Sequence, residues 1–197
     1  MSWILLFLGL GTAAVVASLF PKAQYKEELV AKRPLLLVHL SRHGDEPLAI
    51  MSWAQELLRD ELGIDVAIDE KAITIPRDAF HHKSGLADAV KLVESVEKSV
   101  RPDLAVLGLT EYDLYSPLRR DLTFVMGSRK GWAGLISSYR MTAQCPPETT
   151  VERLRIMLLR YAAELVCDAQ RNDEPQSILY DQLQKPDQLD LMVWPPE

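Results

Sequence analysis

Apolar positions along the chain fall into short continuous runs and longer stripes, and the order of the two predicts the fold class. PLLLVHLS, Pro34 to Ser41, is an apolar run bounded by turn residues and predicts a buried strand. Pro47 suits a first helical turn. Beyond it Ile50, Trp53, Ala54, Leu57, Leu58 and Leu62 recur at i, i+3/i+4 and i+7 as far as Gly63, which predicts a helix of about 15 residues. IDVAID alternates and predicts a second strand, with AITIP as a short extension. Ser84 offers a cap for a second helix whose apolar face is Leu86, Ala89, Val90, Val93, Val96 and Val100. DLAVLGLT, Asp103 to Thr110, reads as another buried strand. DLTFVMG and WAGLISSYR are strand-like, and Ser128 to Gly131 between them is short enough for a hairpin. Thr149 to Glu152 has capping-box spacing and opens the longest helical pattern, Val151 to about Ala169, with Pro175 beyond it. Lys185-Pro186-Asp187 starts a short last helix. Strand, helix, strand, helix, strand predicts an α/β domain, a mostly parallel sheet under covering helices.

The N-terminus has a different pattern. Trp3 to Phe20 runs uncharged for 18 residues and is closed by Pro21-Lys22, near the roughly 20 residues that a membrane-crossing helix needs. The expected division is therefore a hydrophobic anchor over residues 1–21, a linker over 22–33 and a domain over 34–197. Lys22, Lys26, Lys32 and Arg33 all follow the segment, which predicts a single-pass membrane protein with a cytoplasmic domain. The alternative is export by a cleaved leader: Val15-Val16-Ala17 offers small residues for cleavage, although a basic start is missing.

Charge and reactive residues narrow the chemistry. The net charge of −6 argues against bulk attraction to nucleic acid, and no nucleic-acid partner is expected. The two cysteines, Cys145 and Cys167, cannot build a disulfide scaffold or a four-cysteine zinc site. All four histidines lie at or before His82, so imidazole chemistry is excluded from the C-terminal half. Arg42-His43-Gly44 after the first strand resembles a phosphohistidine loop, but the second histidine that such chemistry needs has no candidate later in the chain. His81 and His82 are adjacent and generally point apart on a regular element, so a solvated loop is the simpler reading than a metal site. Between Leu118 and Arg160 eight basic side chains face three acidic ones. With only Trp132 and Tyr139 interleaved, this reads as mixed surface rather than a nucleic-acid site.

A longer pattern carries more. Leu107-Gly108-Leu109-Thr110 followed by Asp113-Leu114-Tyr115, then Phe124-Val125-Met126-Gly127, Ile136-Ser137-Ser138-Tyr139-Arg140, a long helix and DEPQSILY together resemble the archaemetzincin family of zinc peptidases. The similarity runs from about Leu35 to Met192 and includes IPRDAFHHKSG, which accounts for His81 and His82 without a metal. The resemblance implies a metzincin-like mixed sheet with covering helices, here preceded by an N-terminal hydrophobic helix.

It also implies where zinc would be held: two histidines one helical turn apart, a third beyond a glycine turn, and a glutamate that activates water. Matched to that motif, the helix beginning at Val151 carries Arg160 at the first histidine, Tyr161 at the glutamate, Glu164 at the second histidine and Gln170 at the third. Cys167 stands at the turn glycine, and Leu179 within Ser177-Ile178-Leu179-Tyr180 stands at the methionine that floors the metal site. Only Glu164 among the ligand positions has a side chain that holds zinc, so no cofactor is expected. Arg160 and Glu164 at i and i+4 can pair across the vacated space, with Tyr161 or Gln170 supplying further hydrogen bonds. The same resemblance implies that WAGLISSYR, with Trp132, Gly134, Leu135, Ile136 and Ser137, is the strand that receives an extended protein segment. The expected function is thus a catalytically inactive archaemetzincin-like domain that binds protein segments or serves a structural role. The alternative is a zinc metallopeptidase with a rebuilt site in which Glu164 recruits His81 or His82.

Overall fold

The computed structural model describes residues 31–41, 50–81, 85–117, 125–142 and 145–194. In chain order, β1 (Leu35–Ser41) is followed by α1 (Ile50–Leu62), β2 (Val66–Ile68), β3 (Ile73–Thr74) and β4 (Ala87–Asp88). Then come α2 (Ala89–Glu97), β5 (Ala105–Thr110), β6 (Leu114–Tyr115), β7 (Gly127–Lys130), β8 (Ala133–Ser137), α3 (Tyr139–Thr142) and α4 (Pro147–Val166). A 3-10 helix over Pro186–Leu191 ends the described fold.

The main sheet has the order β2-β1-β5-β8-β7, with β3 also paired to β1. Every pairing in it is parallel except β7 with β8. β4 and β6 form a separate parallel pair. The strands of the sheet centre read as unbroken apolar runs because both faces are covered. Leu35, Leu37, Ala105, Leu107, Leu109 and Ile136 pack on the face of α1 and α4, whereas Val38, Leu40, Val106, Ala133 and Leu135 pack on the face of α2. The period of two along each strand thus feeds two cores.

Several boundaries differ from the pattern-based expectations, each for a local reason. α2 is capped by Asp88, whose carboxylate accepts from the amides of Val90 and Lys91; Ser84 lies outside the described residues. Pairing of Ala87 and Asp88 with β6 keeps this stretch extended and delays the helix. α4 begins at Pro147, where a ring-fixed φ and a missing N–H cost nothing. The capping box expected at Thr149 to Glu152 is not formed: the Thr150 hydroxyl donates to the carbonyls of Met141 and Pro146. Ser128 to Lys130, expected as a turn, are strand; the hairpin turns at Gly131, with φ 57°. WAGLISSYR is not strand throughout. It breaks after Ser137, whose Oγ accepts from the Tyr139 amide as α3 begins.

The single-pass membrane placement is corrected. Among the described residues no helix is long and apolar enough to cross a membrane. The hydrophobic segment over residues 3–20, and with it the expected N-terminal helix, lies outside the described residues.

Candidate functional site

α4 crosses the sheet above β8 and β7, and close approach there depends on two glycines. A Cβ at Gly134 would lie 2.8 Å from Leu165 Cδ1 and 3.0 Å from Tyr161 Cδ1. One at Gly127 would lie 2.5 Å from the Leu135 carbonyl and 2.6 Å from the Tyr161 hydroxyl. The helix therefore sits low enough for its buried middle to meet the edge strand.

Glu164 is at the centre of that contact, with no exposed side-chain surface. Arg160 Nε lies 3.3 Å from its Oε1, one helical turn back. Arg171 donates Nε and Nη2 to the two carboxylate oxygens at 3.1 and 3.2 Å. Arg129, from β7, donates Nη1 to Oε2 at 3.4 Å. One buried carboxylate thus holds three guanidinium groups. Arg160 Nη1 also donates to the carbonyls of Ile178 and Tyr180, at 3.2 and 2.6 Å. The cluster ties the helix, the edge strand, the segment after the helix and the Ser177 to Tyr180 loop together.

Electrostatics follow the packing. Burial pulls the Arg160 guanidinium below its ordinary value, against the opposing charge of Glu164. Burial also works against Arg171, but its hydrogen bonds and charge contact with Glu164 prevail and hold it above the ordinary value. Tyr161 is driven the other way: burial, helped by the negative charge of Glu164, pushes its phenol up to about 12. It remains a hydroxyl at neutral pH and lines the cavity beside β7.

The positions matched to the zinc motif are not all brought together. Arg160, Tyr161 and Glu164 meet as described. Gln170 does not join them: its Nε2 donates to the Asp168 carbonyl, and it is exposed. The chain turns at Asp168, with φ 56°, rather than at Cys167, and this turn delivers Arg171 to Glu164. Leu179 is buried in the core below. Arg171 and Arg129 were missed as site residues. Arg171 adjoins a matched position, and Arg129 has the polar, glycine-flanked setting of a turn. The hydrogen bonds expected from Tyr161 or Gln170 come instead from these arginines and from loop carbonyls.

The strand expected to receive a partner is also corrected. β8 is paired on both sides, with β5 and with β7. Gly134, Leu135, Ile136 and Ser137 are buried, and Trp132 lies under the Arg33 guanidinium at 4.0 Å. Among the described residues the outer edge on this side of the sheet is β7. Ser137 donates its amide to the Met126 carbonyl, so the antiparallel alternation bonds Ser128 and Lys130 to β8 and turns the amides and carbonyls of Gly127 and Arg129 outward. Among the described residues nothing pairs with them.

The other candidates separate. His81 packs edge-on to Tyr115, with ring centroids 6.1 Å apart. His82, Arg42 and His43 lie outside the described residues. Of the basic residues between Leu118 and Arg160, Arg129 and Arg160 meet at Glu164, whereas Arg140, Arg153 and Arg155 disperse into separate pairs with Asp113, Asp190 and Glu61; Arg119 and Arg120 lie outside the described residues. Cys145 and Cys167 are both free thiols.

No protein-family model and no curated protein matches the chain. Solved structures do. The archaemetzincin of Methanopyrus kandleri is 23% identical with a TM-score of 0.62, over 81% of this chain and 86% of that one. A zinc-dependent peptidase from Methanocorpusculum labreanum is 19% identical at 0.63, over 80% and 93%. The archaemetzincin of Archaeoglobus fulgidus, solved with malonate, is 14% identical at 0.55, over 81% and 92%. Zinc, which this fold implies, does not fit the residues present: Glu164 alone among the three positions matched to ligands, Arg160, Glu164 and Gln170, is a zinc-binding type, and its oxygens are taken by three cations. Among the described residues no three His, Cys, Asp or Glu side chains converge. The chain has the archaemetzincin fold, and its longest helix carries a buried glutamate bound by three arginines.

Proposed function

We propose that this archaemetzincin-like domain is catalytically inactive and holds an extended segment of a partner protein against the outer edge of β7. One observation carries the reading: Arg129, a residue of the edge strand itself, donates to Glu164 on the helix. The strand and the helix are thereby joined by an ion pair, with no role left for a bridging cation. β-addition needs only backbone groups, which Gly127 and Arg129 turn outward. The second reading, a zinc peptidase with a rebuilt site, is favoured by the zinc-dependent peptidase among the similar structures.

Metal analysis of the purified full chain after incubation with zinc separates the two. The inactive reading expects no stoichiometric zinc and no cleavage of unstructured protein substrates. One zinc per chain, lost on Glu164→Ala together with peptidase activity, overturns it.

A further inference from the structure

Two cavities flank the cluster, and they differ in charge. The deeper one, about 290 Å³, is bordered by Met126 to Arg129 of the edge and walled by Tyr161 and Met157 of α4. Among the described residues its charged lining is Arg129, Arg160 and Arg171 against Asp181. The shallower cleft, about 850 Å³, shares Arg129 and Arg171 but sets Glu164, Asp173 and Asp181 against them. Cationic charge is therefore in excess on one side only, and that side adjoins the outward-turned backbone.

We infer that the deeper cavity is a subsite for the carboxylate side chain of an Asp or Glu in an extended partner segment lying along β7, held by Arg129 and Arg171. This rests on the edge-binding reading of the preceding section. Both arginines are reachable, with 33% and 36% of their side-chain surface exposed. Arg129 uses Nε on the Gly131 carbonyl and Nη1 on Glu164; among the described residues its Nη2 makes no hydrogen bond. Arg160 is 3% exposed and committed to the Ile178 and Tyr180 carbonyls, so it contributes field rather than contact. Asp181, which meets Arg171 Nη1 at 3.3 Å, is 63% exposed on the rim, where solvent weakens its claim on that cation. The Tyr161 hydroxyl adds a neutral donor in the lining. The volume lies at the small end of ligand cavities and suits one side chain rather than a whole cofactor. Gly127 and Arg129 place their Cα–Cβ directions on the face of α4, so backbone pairing at the edge and an acidic group in the cavity are reached by one extended segment.

The test is selection from a randomised dodecapeptide library on the immobilised full chain. Enriched peptides are then synthesised with each acidic residue replaced by its amide. Enrichment of an Asp or Glu at one fixed place in a β-forming context is expected. The Glu→Gln or Asp→Asn version should bind roughly tenfold more weakly, as for a lost charge-assisted pair, and added salt should narrow the gap. Arg129→Gln and Arg171→Gln should each remove the discrimination while the amide peptide still binds. Arg129→Lys, which keeps a cation for Glu164, should lower it. Peptides that bind without preferring an acid, or a preference untouched by these variants, overturn the carboxylate subsite and leave edge binding standing. Failure to enrich any peptide overturns edge binding itself.

Discussion

Two arginines of α4, two helical turns apart, show what distinguishes a stitch from a site. Arg153 meets Asp190 through Nε and Nη2 at 2.7 and 2.6 Å, one cation for one anion, and fastens the C-terminal 3-10 helix to α4. Asp190 is 39% exposed, so water shares the work of solvating it. Arg160 is in a cluster with no such balance: Arg129 and Arg171 compete with it for one fully buried carboxylate. The other two border a cavity beside the outer edge of β7, and this excess of positive charge, rather than the number of ion pairs, sets the region apart among the described residues.

That contrast can be broken by substitution. Glu164→Gln leaves three guanidiniums without their carboxylate and should lower stability by about 3 to 5 kcal/mol in urea unfolding, the range for a buried pair that loses one partner. A loss no greater than that of Asp190→Asn would make the two sites equivalent. High pH probes the same burial without mutation. Cys167 and Tyr161 are neutral acids held up by burial, to about 11 from 9.0 and to about 12 from 10.0. Their contribution is complete below those unfolded-state values and is lost as pH rises through the folded ones, on the order of 2 to 3 kcal/mol each. Stability measured from pH 8 upward should fall in two limbs, the lower removed by Cys167→Ala and the upper by Tyr161→Phe.

Gly127→Ala sharpens the comparison at the strand. Its methyl would meet a backbone carbonyl, which cannot move aside, and should cost about 1 to 3 kcal/mol as an overpacking strain. An unchanged midpoint would mean that the Leu135 carbonyl of β8 does not approach Gly127 as closely as described. Asp190→Asn should cost least, about 1 kcal/mol, because the Asp190 carboxylate is 39% exposed and water already shares in solvating the pair.

The sheet centre and α1 could be read from the chain alone because their signals are local: unbroken apolar runs, a stripe at helical spacing and Gly63 at its end. The edge could not. Ser128, Arg129 and Lys130 are polar because an edge strand faces water on one side, and polarity beside a glycine looks the same as a turn. Which strand lies outermost depends on pairing between distant segments, and no spacing reports it. At the site, Arg160 and Glu164 were legible from their four-residue separation. Arg171 was not, since the left-handed turn at Asp168 shifts which residue comes back to the helix, and Asp168 carries no glycine to advertise it.

The bond from Arg129 to Glu164 changes what kind of edge β7 is. An outermost strand ordinarily frays on its own, ahead of the body of the protein. Here peeling it away would strip a cation from a carboxylate that water does not reach. Release of β7 and disruption of the α4 interior are therefore one opening event, and deuterium should enter the bonded amides of Ser128 and Lys130 no faster than it enters the middle of the helix.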